Sequence, residues 1–253
     1  MPAKFHLGTS GWSYDDWLGP FYPKGTPKRD YLGEYAMHFS TVEIDSTFYS
    51  IPRVDYVKRW REVTPDDFIF CAKFPKSITH EKVLHNCERE VTSFLKTMDV
   101  FGDKLGVLLL QFQYGFKPDQ FDNLASFLKE LPTGYRYAVE VRNRKWLESS
   151  FYEMLRENGI CLALIDHPWM PRIQELTADF TYLRWLGDRK EVKESFDRIQ
   201  IERGKDLSRW AEVIHKFLID DVTTFGYVNN HYSGHSPETA KQMEALMKEL
   251  EGE

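Results

Sequence analysis

Hydrophobic residues along this chain form short runs of period two, separated by longer stretches of period three to four. Phe5 to Ser10 alternates, with Phe5, Leu7 and Thr9 on one face and His6, Gly8 and Ser10 on the other. Thr41 to Ser50 begins as a second strand, with Val42 and Ile44 on one face and the acids Glu43 and Asp45 on the other. Asp67 to Phe74 is a third strand. Leu105 to Phe112 is a fourth, apolar on both faces as a parallel strand covered on both sides would be. Tyr135 to Arg142 sets Tyr137, Val139 and Val141 against Ala138, Glu140 and Arg142. Ile160–Asp166, Phe180–Trp185 and Thr224–Asn229 read as the last three strands.

Helical spacing fills most of the intervals. Pro27 opens a helix bearing Tyr31, Leu32, Tyr35, Ala36 and Phe39, and Pro52 one bearing Val54, Val57 and Trp60. Glu88–Val100, a segment from Pro118, and one from Leu147 to the stop at Asn158-Gly159 follow. Asp206 is expected to cap a helix, and Ser236-Pro237 to start the last one with Ser236 as cap. PKSITHEKVLHN reads as loop, Pro168 and Pro171 leave the sixth helix short or missing, and Gly187 to Gly204 has no assignable pattern. Strand–helix alternation implies a parallel sheet. Eight such units in 253 residues predict one (β/α)8 TIM-like barrel over residues 1–253, with long βα loops. An open doubly wound sheet is the alternative, but GTSGWSY in the first βα turn lacks the glycine spacing of a dinucleotide fingerprint.

Composition narrows the function classes. A net charge of −6 argues against general binding to a phosphate backbone while leaving room for a local basic patch. Cys71, Cys87 and Cys161 are too few to form a disulfide framework. MPAKFHLG enters a strand without a leader-like segment, and the longest apolar run, Val107–Leu110, is far too short to span a bilayer. A soluble, cytoplasmic protein is expected.

A barrel of this kind carries its chemistry at the C-terminal ends of its strands. Those ends hold Ser10, Trp12, Glu43, Asp45, Lys73, Gln111, Glu140, Arg142, Asp166, Arg184, Asn229 and Asn230. Alternation turns Glu43, Glu140, Arg142, Lys73 and Arg184 inward. Glu43 or Glu140 is the candidate general acid or base, and Lys73 a candidate nucleophile. Arg142 and Arg184, with Lys73, would hold an anion, and Asp45, Gln111, Asp166, Asn229 and Asn230 would complete the pocket. The competing reading is a buried salt-bridge network that fixes barrel register and does no chemistry. Trp12, Tyr14, Trp17, Phe48 and Tyr49 form either a stacking rim or the packing of two long loops. Gly234, before a helix start, could serve an anion or a plain cap. A retaining glycosidase is disfavoured, because the ends of strands four and seven offer Gln111 and Arg184 rather than paired acids. Metal ligation by His80, His85 and Cys87, or by His167, His231 and His235 with Glu43 or Asp166, is weaker than pairing of the acids with arginine. The sequence names no cofactor.

The strings GTSGWSYDDWLGPFYP, TVEIDSTFYSIP, KFPKSITH, LLLQF, VEVRNRKW, TYLRWLGD and GYVNNHYSGHSPETA resemble, in order, those of the YecE-like family (domain of unknown function 72), from about residue 5 to residue 248. The resemblance implies a TIM-like barrel and brings no established substrate, cofactor or catalytic residue. Asp45 stands where the family pattern often has Asn, and Leu186 where a His is common, which removes the side chain a His-based mechanism would need. The expected function is an enzyme acting on a small polar or phosphorylated, anionic substrate by acid/base chemistry of hydrolase, lyase or isomerase type. The alternative is a non-catalytic protein binding a nucleotide or nucleic acid. No membrane partner is expected.

Overall fold

In the computed structural model, which describes residues 3–192 and 195–252, the eight strands are β1 (Phe5–Thr9), β2 (Thr41–Ile44), β3 (Ile69–Lys73), β4 (Leu105–Gln111), β5 (Arg136–Glu140), β6 (Cys161–Asp166), β7 (Phe180–Trp185) and β8 (Thr223–Val228). All pair in parallel, in the order β1-β8-β7-β6-β5-β4-β3-β2. The remaining seam closes at its upper end, where Ser10 bridges Glu43 and the Gly11 N–H donates to the Glu43 carbonyl at 2.8 Å. Gly8 makes this approach feasible, since a Cβ there would run into the Thr41 carbonyl oxygen. The result is the expected barrel.

The surrounding helices are α1 (Tyr31–Ala36), α2 (Val54–Glu62), α3 (Glu88–Met98), α4 (Phe121–Glu130), α5 (Ser149–Glu157), α6 (Gly204–Ile219), α7 (Asn230–Ser233) and α8 (Ser236–Glu251). No helix joins β6 to β7. Two apolar layers follow from strand alternation. Val42, Ile44, Leu108, Leu110, Val139, Leu164 and Leu183 pack outward under the helices. Cys71, Val107, Leu109, Ala138, Cys161, Phe180, Tyr182, Phe225 and Tyr227 fill the barrel interior. Burial of each large side chain contributes about 1.5–3 kcal/mol. All three thiols are free and buried.

Several local expectations change. Asp206 lies inside the first turn of α6 and pairs with Arg172 at 2.7 Å, while Arg203 occupies the cap position. His235, not Ser236, precedes α8; the Ser236 N–H and Oγ both donate to Asn230 Oδ1, at 3.0 and 2.8 Å. Part of PKSITHEKVLHN forms a π-helical turn, Ser77–Glu81. Arg142 stands beyond the end of β5. The stretch from Gly187 to Gly204 includes 193–194, which lie outside the described residues.

Candidate active site

Glu43, Glu140 and Arg184 come from β2, β5 and β7 and meet at one level inside the upper barrel. Arg184 Nη1 donates to Glu140 Oε2 at 2.6 Å, and Nη2 to Glu43 Oε1 at 2.7 Å. Tyr182 Oη donates to Glu43 Oε2 at 2.7 Å, and Ser10 Oγ to Oε1 at 2.8 Å. The second oxygen of Glu140 pairs with Arg142 Nε. Both carboxylates are fully buried, at 0% exposure, and every carboxylate oxygen is occupied. Burial alone would raise their pKa values, but the guanidinium charges and hydrogen bonds outweigh it. Glu43 is held below its ordinary value by Arg184, Tyr182 and Ser10. Glu140 is drawn down to about 2, burial being overcome by Arg142, Arg184 and Lys73. The two acids therefore stay ionised and shielded.

Above this sealed tier lies a cavity of about 460 Å³ at the C-terminal ends of the strands. Asp45 stands in it just past β2, with its side chain 29% exposed and its Oδ1 3.6 Å from Arg184 Nη2. Burial and then the Glu43 charge raise its pKa to about 6, against the opposing pull of Arg184 and Lys73. Lys73, at the tip of β3, also lines the cavity and is only 9% exposed. Its ammonium sits 4.2 Å from the centre of the Phe48 ring. Burial lowers its pKa and Arg184 adds to that, with Asp45 only partly offsetting them. Arg142, Arg189 and Lys190 bring further positive charge to the walls. His80 and His167 line the same space, with pKa values lowered by burial first and by nearby cations next, which favours the neutral imidazole.

The candidates read from the sequence fall into three groups. Asp45, Tyr49, Lys73, Gln111, Arg142, Arg184 and Asn229 line the cavity. Glu43 and Glu140 are sealed beneath it. Trp12, Tyr14, Asp166, Asn230 and Gly234 do not line it, each for a visible reason. Trp12 packs edge-on to Trp60, 5.1 Å between ring centres. Tyr14 donates to the Ser10 carbonyl at 2.9 Å and lies against Trp17, which is fully buried. Asp166 is clamped by Trp210 at 2.8 Å, Tyr232 at 3.0 Å and Arg172 at 3.0 Å, tying β6 to α6 and α7. The Asn230 side chain holds the start of α8. Gly234 (φ 109°) packs so closely on the Arg198 carbonyl that a Cβ would collide with it. Phe48 and Tyr49 thus belong to the cavity, and the first-loop rings belong to packing.

The chain's pattern did not single out Gln113, Trp169, Asp188, Arg189 and Lys190, which also line the cavity. The signal was present in GDRK directly after β7, where barrels often bind anions. Gly187 at its head takes φ 64° and packs on the His231 carbonyl, which fixes where the two following cations emerge. His231 meets Phe196, and His235 Nδ1 meets the Phe196 carbonyl at 2.9 Å. Among the described residues, no three His, Cys, Asp or Glu side chains group so as to hold a metal ion.

Fold and site together define a TIM-like barrel with a cation-lined mouth. The chain belongs to the family described as "Protein of unknown function DUF72", whose profile matches residues 6–253. It is 34% identical to the UPF0759 protein YecE of Escherichia coli (strain K12), with 84% of each chain covered. It is 25% identical to the UPF0759 protein YunF of Bacillus subtilis (strain 168), covering 96% of this chain and 94% of that one. The crystal structure of the DUF72 family protein TM1631 from Thermotoga maritima superposes with a TM-score of 0.78 at 26% identity, over 98% of this chain and 99% of that one. The family description carries no specific activity. Among the described residues, no helix is long and apolar enough to cross a membrane.

Proposed function

We propose that the barrel mouth is the active site of an enzyme that binds a small anionic molecule and acts on it by proton transfer, in a hydrolysis, elimination or isomerisation. The observation that carries this reading is the convergence of Lys73, Arg142, Arg184, Arg189 and Lys190 on one cavity around the partly exposed Asp45. In a protein of net charge −6, such a cluster departs from the average surface and favours a negatively charged ligand. A general acid or base works best with a pKa near the operating pH. Asp45, at about 6, meets that condition and faces the cavity. Glu43 and Glu140 do not, because their oxygens are occupied and their pKa values are held below the ordinary carboxylate value. In this reading they orient Arg184, and Asp45 takes the acid/base role. Three unpaired thiols are ordinary in a reducing compartment, and a cytoplasmic setting belongs to the same reading.

One observation favours a second reading. Tyr49 and Trp169 stand exposed at the rim above the cations, an arrangement that suits stacking of a nucleotide base. The two readings separate in one experiment. Purified protein is profiled by mass spectrometry for retained metabolites, and its thermal midpoint is followed with carboxylated, phosphorylated and neutral small molecules. Anions should raise the midpoint, neutral analogues should not, and Arg142→Gln should abolish the gain. If no anion raises the midpoint, the anion-site reading fails. A retained nucleotide that is never consumed would favour the second reading.

A further inference from the structure

We propose that Lys73 is a covalent catalyst, whose Nζ forms an imine with a small carbonyl compound bearing a carboxylate or phosphate. The proposal deepens the anion-site reading and rests on it. A lysine that is nine-tenths buried normally has a charged or hydrogen-bonded partner. Lys73 has none: among the described residues it makes no hydrogen bond, and no ion pair within 4.0 Å. The nearby acids explain why. Every carboxylate oxygen of Glu43 and Glu140 is taken by Arg184, Arg142, Tyr182 or Ser10. Asp45 acts on Lys73 only through its charge. The amine instead lines the cavity with the face of the Phe48 ring as its neighbour, 4.2 Å from the ring centre.

The surroundings supply what imine formation needs. Burial disfavours the ammonium and so shifts the balance towards the neutral amine that must attack. Asp45 is placed to give and take protons, and Arg142, Arg189 and Lys190 can hold the acid group of the substrate. The Nζ lone pair attacks the carbonyl carbon and forms the C–N bond. The C=O π pair moves to oxygen, which takes the Asp45 proton, and the nitrogen returns one proton to Asp45. Asp45 then protonates the hydroxyl, which leaves as water and yields a protonated imine. Neutral amine, protonated Asp45 and carbonyl compound thus become iminium, water and Asp45 carboxylate, with no oxidant or reductant required.

The test uses glyoxylate and pyruvate as oxo acids, and glyceraldehyde 3-phosphate and dihydroxyacetone phosphate as phosphorylated carbonyls. Each is incubated with the full chain and cyanoborohydride, which reduces an iminium to a stable secondary amine. Intact mass and peptide mapping then locate the adduct. The expected result is one adduct per chain, on Lys73, from at least one compound, and which of the two sets reacts identifies the acid group. Lys73→Arg should lose the adduct while the same compounds still raise its thermal midpoint. Should that variant fail to fold, the mapped position in the wild-type chain decides alone. Adducts absent, or scattered over other lysines, would overturn the proposal. If the compounds still raise the midpoint, the anion site survives that failure. If they do not, both readings fall.

Discussion

Glu43, inside β2, and Asp45, just past its end, stand two residues apart and end in opposite electrostatic states. Glu43 sits in the sealed tier with both oxygens bonded, and its pKa is pressed down. Asp45 stands one step higher, partly open to the cavity and beside the charge of Glu43, and its pKa rises to about 6. Burial pushes both acids the same way. What separates them is the number of donors each receives, because a carboxylate that accepts several charged or polar donors stays ionised whatever its burial. The barrel thus devotes two fully buried acids to holding an arginine and leaves an acid of raised pKa where a ligand would lie.

The comparison can be broken from the sealed side first. Arg184→Met leaves Glu43 and Glu140 buried without their shared partner, and stability should fall by about 3–5 kcal/mol. At about 2–4 °C per kcal/mol, calorimetry should record a drop on the order of 10 °C. Glu140→Gln should cost about 3 kcal/mol at pH 7. Its pH dependence has a definite sign. The folded pKa, about 2, is below the ordinary 4.5, so the stabilisation is complete above 4.5 and fades as pH falls towards 2. The gap between variant and wild type in urea unfolding should therefore close in acid. Tyr182→Phe removes one donor to Glu43 and should cost about 2 kcal/mol, read in the same way. The smallest effect is expected on the open side and runs in the opposite direction. Asp45 has a folded pKa above its ordinary 3.8, so its contribution is most favourable below 3.8 and is lost as pH rises through about 6. Asp45→Asn should gain ~1 kcal/mol or less at pH 8, after allowance for its partial exposure, and nothing at pH 4. A loss at pH 8 would contradict the account of this residue.

Much of this was legible in the chain. Alternation and short apolar runs marked the eight strands, and alternation turned Glu43, Lys73, Glu140, Arg142 and Arg184 to the barrel axis, although Arg142 stands past the end of β5. The competing reading, a buried salt-bridge network of these acids with Arg142 and Arg184, is what Glu43 and Glu140 form; alternation specifies the face but not the depth, so it did not show that this network closes both acids to solvent while Asp45 stays in the cavity. Asp166 looked like another strand-end acid because Trp210 and Tyr232, which clamp it, lie far along the chain. Asn230 and Gly234 are used up by the start of α8 and by tight loop packing, both contacts across loops. Arg189 and Lys190 were hidden in a stretch without periodicity, and only their position after β7 marked them.

The most direct test is a carbon-13 NMR titration of the side-chain carboxyls, with Asp45→Asn, Glu43→Gln and Glu140→Gln used to assign the signals. Asp45 should titrate with a midpoint near 6, while Glu43 and Glu140 should remain ionised below the ordinary carboxylate value until the protein unfolds in acid. An Asp45 midpoint at or below the ordinary value, with Glu43 or Glu140 taking up a proton near neutrality, would contradict this and return the acid/base role to the buried pair.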